Sequence, residues 1–137
     1  MMETSETFLV DRKLEENKAV VREFYMLAFN QRKPEEAMAR YVHTEYCQHN
    51  PRVGNGVAAF LAFARGFLQA YPNLHYHLKR IIAEGDLVML HSQMLREPTD
   101  RGMAVVDIFR LEDGKIVEHW DVIQEVPESS ANNNSMF

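Results

Sequence analysis

The sequence predicts an α+β domain in which helices come first and a meander of strands follows. Two observations predict it. Apolar residues recur at helical spacing as far as Pro72 and alternate with period two beyond it, and Asp113-Gly114 marks a tight turn between two alternating runs. A strongly twisted antiparallel sheet of this kind curls around its helices and leaves a pocket between the two layers.

Residues 1–10 read as an acidic N-terminal extension without the basic-then-apolar order of a signal peptide. The domain proper is expected at 11–126. Its first helix runs from Asp11 to Asn30, with Leu14, Ala19, Val20, Phe24, Leu27 and Ala28 along one stripe. Pro34 suits a first helical position, so Glu35–Val42 makes a short second helix. Glu45–Asn50 is a short strand stopped by Pro51. Val57–Tyr71 is a third helix, with Phe60, Phe63, Ala64, Phe67 and Leu68 at helical spacing. Four strands follow, at Asn73–Glu84, Asp86–Arg96, Gly102–Leu111 and Lys115–Glu125. The tail, 127–137, has a linker-like composition but ends in apolar Met136 and Phe137.

A chain of 137 residues with 46% hydrophobic and 26% charged content is one ordinary globular domain. Net charge of -5 and the lack of any basic run argue against nucleic acid as a partner. No apolar run approaches the roughly 20 residues of a membrane span. Cys47 is the single cysteine, so no internal disulfide can form and a reducing cytoplasm fits best.

The most telling stretch is Val105–Ile123, which sets two acids, Asp107 and Asp121, among apolar residues on the arms of one hairpin. A carboxylate on an apolar face is costly unless paired, hydrogen-bonded or protonated. A two-residue Asp-Gly loop would send the two acids to opposite faces. A three-residue loop, Glu112-Asp113-Gly114, puts them on one face, with Asp107 opposite His119 and Asp121 one diagonal step away. The alternation of apolar residues favours the three-residue loop. Two carboxylates on one apolar wall drive their pKa values apart and can supply both an acid and a base.

Around this pair, Tyr25 of the first helix is placed to donate a hydrogen bond to an oxyanion. Tyr46, Gln48 and Asn50 share one face of the short strand, a polarity that suits a pocket wall. His91 and His119 are the histidines placed to line the pocket, and His49 adjoins it. Phe63, Phe67 and Phe109 make the lining apolar. His75 and His77 have a metal-like spacing but no third ligand, so neither metal nor organic cofactor is expected. Trp120 lies on the face away from the acids, where an apolar surface suits a homodimer.

With Gln48-His49-Asn50-Pro51 and the run from Phe109 to Val122, FRLEDGKIVEHWDV, the chain from Asp11 to Glu125 resembles the SnoaL-like polyketide cyclases of the NTF2-like superfamily. It is most similar to the bacterial group described as SnoaL-like aldol-condensation enzymes. The resemblance implies a cystatin-like cone, three N-terminal helices packed on a strongly bent sheet that encloses a pocket, dimerising through the outer sheet face. By the same resemblance Asp121 is the acid/base aspartate, and Asp107 with Tyr25 is similar to the oxyanion-hole pair of ketosteroid isomerase. The isomerase's base falls at Asn50, which cannot take a proton, so the resemblance leaves Asp121 as base. Epoxide-hydrolase relatives match at Asp121 but carry an Arg and an Asp where this chain has Val88–Met94. The activity so implied is acid/base chemistry on an apolar carbonyl compound, with His119 as a relay. A non-catalytic small-molecule binder, or an isomerase or epoxide hydrolase on the same fold, is the alternative.

Overall fold

The computed structural model describes residues 5–137. Helix α1, Ser5–Tyr25, runs directly into a π-helical turn, Met26–Asn30, followed by α2, Pro34–Tyr41. No Gly or Pro interrupts the chain between Ser5 and Asn30, so the helix begins six residues before the expected Asp11. Four residues of the expected extension, 1–4, lie outside the described residues. The early turns bury nothing: Phe8, Leu9 and Val10 are exposed, and α1 meets the core only from Asn17 onward. Pro34 opens α2 as expected.

Strand β1, Val42–Gln48, and helix α3, Val57–Ala70, precede β2 at His75–Glu84, β3 at Leu87–Leu95, β4 at Met103–Glu112 and β5 at Lys115–Glu125. The five strands lie in the order β1-β5-β4-β3-β2. The last four form the expected antiparallel meander, but β1 pairs with β5 in parallel. The sheet is therefore mixed, not wholly antiparallel. Tight turns force the meander strands to alternate, whereas β1 reaches β5 through a long connection that constrains no direction. One sheet face, carrying Val88, Leu90, Val105, Phe109, Leu111 and Ile116, packs on Val21, Phe24, Ala28, Phe60, Ala64 and Leu68 of the helices.

The π-helical turn anchors α1 to the sheet. Gln31 N–H bonds to Met26 O at 2.8 Å, the wider closure that defines the turn. Asn30 Nδ2 donates to Tyr76 O at 2.9 Å, and Tyr76 N–H donates to Asn30 Oδ1 at 2.8 Å. One side chain thus supplies both hydrogen bonds of a ladder partner at the start of β2.

The hairpin departs from its expected loop. Glu112 pairs with Lys115 across a two-residue turn, with Asp113 at φ 49° and Gly114 at φ 76°. Positive φ at both central residues is the type I′ geometry that matches strand twist. Asp107 and Asp121 nevertheless share a face, directly opposite each other. Leu111 pairs with Ile116 but Arg110 with Glu118, so Val117 is an extra residue, a β-bulge. Ile116 and Val117 are both buried, and the alternation changes parity between them. His119 consequently stands opposite Phe109 and not opposite Asp107.

Beyond β5 the tail crosses the outer sheet face, where the Phe137 ring lies 5.8 Å from that of His91 and Lys79 Nζ sits 5.8 Å from the same phenyl centroid. Among the described residues no helix is long and apolar enough to cross a membrane.

Candidate functional site

A cavity of about 770 Å³ opens between the helices and the inner face of the sheet. Phe24, Phe29, Phe60, Phe63, Phe67 and Phe109 give it aromatic walls. Tyr25, Tyr46, Tyr76, Gln48, Asn50, His119 and Asp121 bring polar atoms to its surface. Arg52, Arg96 and Glu125 add charged groups to the lining, so the concavity sets polar groups among aromatic walls, as small-molecule sites do.

Asp107 is not on that wall: its residue is 0% exposed and it is absent from the cavity lining. It sits one layer behind, in mid-β4, and both its oxygens are engaged. Tyr25 Oη donates to Oδ2 at 2.6 Å, and His119 Nε2 lies 2.8 Å from Oδ1. The other ring nitrogen of His119, Nδ1, is 2.7 Å from Gln48 Oε1. The bulge at Val117 aims both His119 and Asp121 inward. Asp121 reaches the cavity, with Asn50 Nδ2 donating to its Oδ1 at 3.0 Å and its Oδ2 at 2.9 Å. His119 Nε2 is 3.8 Å from Asp121 Oδ2. Asn50 is itself held at the end of β1, where His49 N–H bonds to His119 O at 3.0 Å and continues the β1–β5 ladder.

Burial raises the Asp121 pKa above the ordinary carboxylate value; the Asn50 hydrogen bond and His119 oppose this, and nearby Asp107 adds to it. Three of the tyrosines that line the cavity, Tyr25, Tyr46 and Tyr76, hold their protons. Burial raises Tyr25 well above the ordinary phenol value, and Asp107 raises it further. Tyr46 and Tyr76 are raised by burial first, then by the negative charge of Asp107 and Asp121. The wall therefore offers one carboxylate with enhanced proton affinity among hydroxyls that remain donors.

Of the residues singled out from sequence, Tyr25, Tyr46, Gln48, Asn50, His119, Asp121, Phe63, Phe67 and Phe109 come together at the cavity. His49 and His91 do not. Strand alternation turns His91, between inward Leu90 and Ser92, to the outer face, where its Nδ1 meets Arg80 Nη1 at 2.9 Å. His49 stacks on Trp120 at 4.7 Å and places Nε2 2.7 Å from Glu118 Oε2. That ring leaves Trp120 on the outer face only partly exposed. Tyr76 was missed. Its signal was present: it lies between His75 and His77, which both face out, so alternation turns Tyr76 inward.

Among the described residues, two groups of side chains have the spacing of a metal site. Asp107, His119 and Asp121 form one, and Cys47, His49 and Glu118 on the outer face form the other. In the first, both oxygens of Asp107 and both nitrogens of His119 already serve the network described above. In the second, Glu118 is shared between His49 and Arg110, whose Nε is 2.8 Å away, and the cation favours the ionised carboxylate. The chemistry of both sets fits hydrogen-bonded pairs as they stand.

A family model described as SnoaL-like domain matches residues 21–119. The chain belongs to this family. Solved structures agree on the fold. TsrD from Streptomyces laurentii is 26% identical, with TM-score 0.62 over 77% of this chain and 89% of that one. AclR from Streptomyces galilaeus, described as a candidate hydroxylase, is 25% identical, with TM-score 0.68 over 81% and 90%. A Bacillus cereus protein described as a candidate polyketide cyclase shares the fold at 22% identity and TM-score 0.68, over 79% of this chain and 74% of that one. No curated protein matches the sequence significantly. The cavity and Asp121 thus sit on the scaffold of a SnoaL-like domain.

Proposed function

We propose that this protein performs acid/base chemistry on an apolar carbonyl compound, an aldol-type ring closure of the kind carried out by SnoaL-like cyclases, with Asp121 as the base. The carrying observation is a carboxylate of raised pKa on the wall of an aromatic cavity, beside tyrosine hydroxyls that hold their protons. Asp121 takes a proton α to a carbonyl. The electron pair of that C–H bond forms the enolate, whose oxygen accepts hydrogen bonds from the cavity hydroxyls. The enolate carbon attacks a second carbonyl of the same molecule, a C–C bond forms, and the new alkoxide takes the proton back from Asp121. The proton is borrowed and returned, so the cycle balances without an oxidant or reductant. Asn50 grips both oxygens of Asp121 and sets the plane of the carboxylate. Asp107 acts from behind the wall, holding Tyr25 and His119 in place.

The test is enolisation itself. Exchange of the α-hydrogens of 2-tetralone for deuterium, followed by NMR, is expected to exceed the buffer rate. The Asp121→Asn variant is expected to lose about 10²–10⁴-fold of that excess. Equal exchange by the variant would remove Asp121 from the role. One observation favours a second reading, a non-catalytic binder: Tyr25 spends its hydroxyl hydrogen on Asp107 instead of the cavity. That reading expects saturable tetralone binding without exchange.

We further propose a homodimer through the outer sheet face, where Ile82 is 61%, Val122 72%, and Leu87 and Met89 each 41% exposed. Sedimentation should give a dimer that the Val122→Glu variant shifts toward monomer. The single Cys47 supports a reducing, cytoplasmic location.

A further inference from the structure

We propose that Gln48 is the positioning residue that fixes where the hydrogens of this site lie, locking the tautomer of His119 and turning the Tyr46 hydroxyl hydrogen toward the cavity. The His119 part stands on geometry alone, and the use made of Tyr46 rests on the function proposed above.

The amide orientation of Gln48 follows from its backbone neighbours. Its Oε1 lies 3.1 Å from the N–H of His49 and 3.0 Å from the N–H of Asn50. Backbone N–H groups only donate, so the atom facing both must be the oxygen; a flipped amide would set donors against donors. Two consequences follow, one from each end of the amide.

At the oxygen end, Oε1 faces His119 Nδ1 at 2.7 Å. An oxygen that only accepts requires a hydrogen on Nδ1. Neutral His119 is therefore the Nδ1–H tautomer, and its Nε2 is bare. Bare Nε2 lies 2.8 Å from Asp107 Oδ1, a contact that needs one hydrogen between the two atoms. Asp107 and His119 thus share a single proton, as a carboxylic acid against imidazole or as a carboxylate against imidazolium. Tyr25 donates to the other oxygen of Asp107 in either case. The shared proton lies beside Asp121, whose Oδ2 is 3.8 Å from the same Nε2.

At the nitrogen end, Gln48 Nε2 donates to Tyr46 Oη at 2.9 Å. The phenol oxygen accepts there, so its own hydrogen is free to point elsewhere. Tyr46 lines the cavity, and burial keeps it protonated. Its O–H thereby becomes the donor that Tyr25 does not supply, because the Tyr25 hydrogen is committed to Asp107. The ligand class this suits carries an oxyanion or enolate-like oxygen near Asp121.

Two variants separate the two arms. Gln48→Glu keeps an acceptor for His119 and for the backbone N–H groups but replaces the Nε2 donor with an acceptor, so the Tyr46 O–H turns back to the introduced carboxylate. Gln48→Met removes both arms. Long-range ¹H–¹⁵N spectra of histidine-labelled protein read the tautomer without any substrate. Wild type and Gln48→Glu are expected to show hydrogen on His119 Nδ1, and Gln48→Met to show a mixture. A bare Nδ1 in the folded wild type overturns the lock. For the Tyr46 arm, 2-naphthol is the probe, its hydroxyl oxygen serving as the acceptor, with binding followed by fluorescence. Tyr46→Phe and Gln48→Glu are each expected to weaken it about tenfold to hundredfold, and the double variant no further. Full affinity in Gln48→Glu beside a loss in Tyr46→Phe overturns this arm. A wild type that binds no naphthol overturns it together with the function proposed above, while the His119 result stands by itself. Conversely, an Asp121→Asn variant that still exchanges tetralone sinks that function without changing whether His119 Nδ1 carries a hydrogen.

Discussion

Two tyrosines on the same cavity wall should respond unequally to loss of one oxygen atom. Tyr25 and Tyr76 are both buried, at 5% and 7% exposure, and their rings meet edge to face at 5.0 Å. Tyr25 Oη donates to buried Asp107 at 2.6 Å. The Tyr76 hydroxyl has no hydrogen-bond partner among the described residues and faces the cavity. The Tyr25→Phe variant deprives Asp107 of one of its two partners while the carboxyl stays fully buried. A hydrogen bond to such a group is worth about 1.5–3 kcal/mol, and the extra hydrophobicity of Phe offsets little of it. The Tyr76→Phe variant breaks no hydrogen bond among the described residues and removes an oxygen that faces the cavity, so it should change stability by less than about 0.5 kcal/mol. For a domain of this size about 1 kcal/mol moves Tm by roughly 3–5 °C, so Tyr25→Phe should melt about 5–15 °C lower and Tyr76→Phe close to wild type. Thermal denaturation followed by circular dichroism, cross-checked by urea midpoints, measures both. Equal losses in the two variants would refute the reasoning, because they would place the cost in the phenol itself and not in its bond to Asp107.

Further predictions concern charge and backbone. Folding raises the Asp121 pKa above its unfolded value near 3.8, so from that pH upward the folded state holds more proton than the unfolded one and stability falls as pH rises. The Asp121→Asn variant has no charge to bury, so it should gain urea stability over wild type at pH 7, and the gain should shrink as the pH approaches 3.8. An advantage that grows on acidification would contradict this sign. Gly102 has φ 87°, and a Cβ there would come within 2.6 Å of Met94 O, so Gly102→Ala should cost about 2 kcal/mol or more in urea unfolding. Gly66 lies inside α3 with nothing within 4 Å of the added carbon, and Gly66→Ala should stabilise by about 0.5–1 kcal/mol.

The hairpin shows how far the sequence reaches. Period two requires one extra residue between Asp107 and Asp121 for both to face inward, and the structure contains it, at a different place from the expected three-residue loop. Asp113-Gly114 forms a two-residue turn with positive φ at both residues, and the extra residue is absorbed at Val117. The adjacent apolar pair Ile116-Val117 was the signal available for a bulge. The location of Asp107 could not be read at all, because alternation assigns a face but not a depth. Whether an inward carboxyl reaches the cavity or stops behind it depends on how closely Tyr25 and His119 close over it. His91 and His49 were drawn toward the pocket by residue type against their own strand parity. The parallel pairing of β1 with β5 was equally invisible, since a long connection leaves strand direction free.

What the sequence determined by itself is what nearest neighbours enforce: three helices before four alternating strands, the Asp-Gly turn, aromatic residues at helical spacing, and two acids among apolar residues. Only the tertiary structure decided the bulge, the mixed sheet, the depth of Asp107 and the pivotal place of Gln48. Those depend on partners far along the chain, such as Tyr25 with Asp107 and Gln48 with His119, and a hydrogen bond between residues 71 or 82 positions apart leaves no period in the sequence.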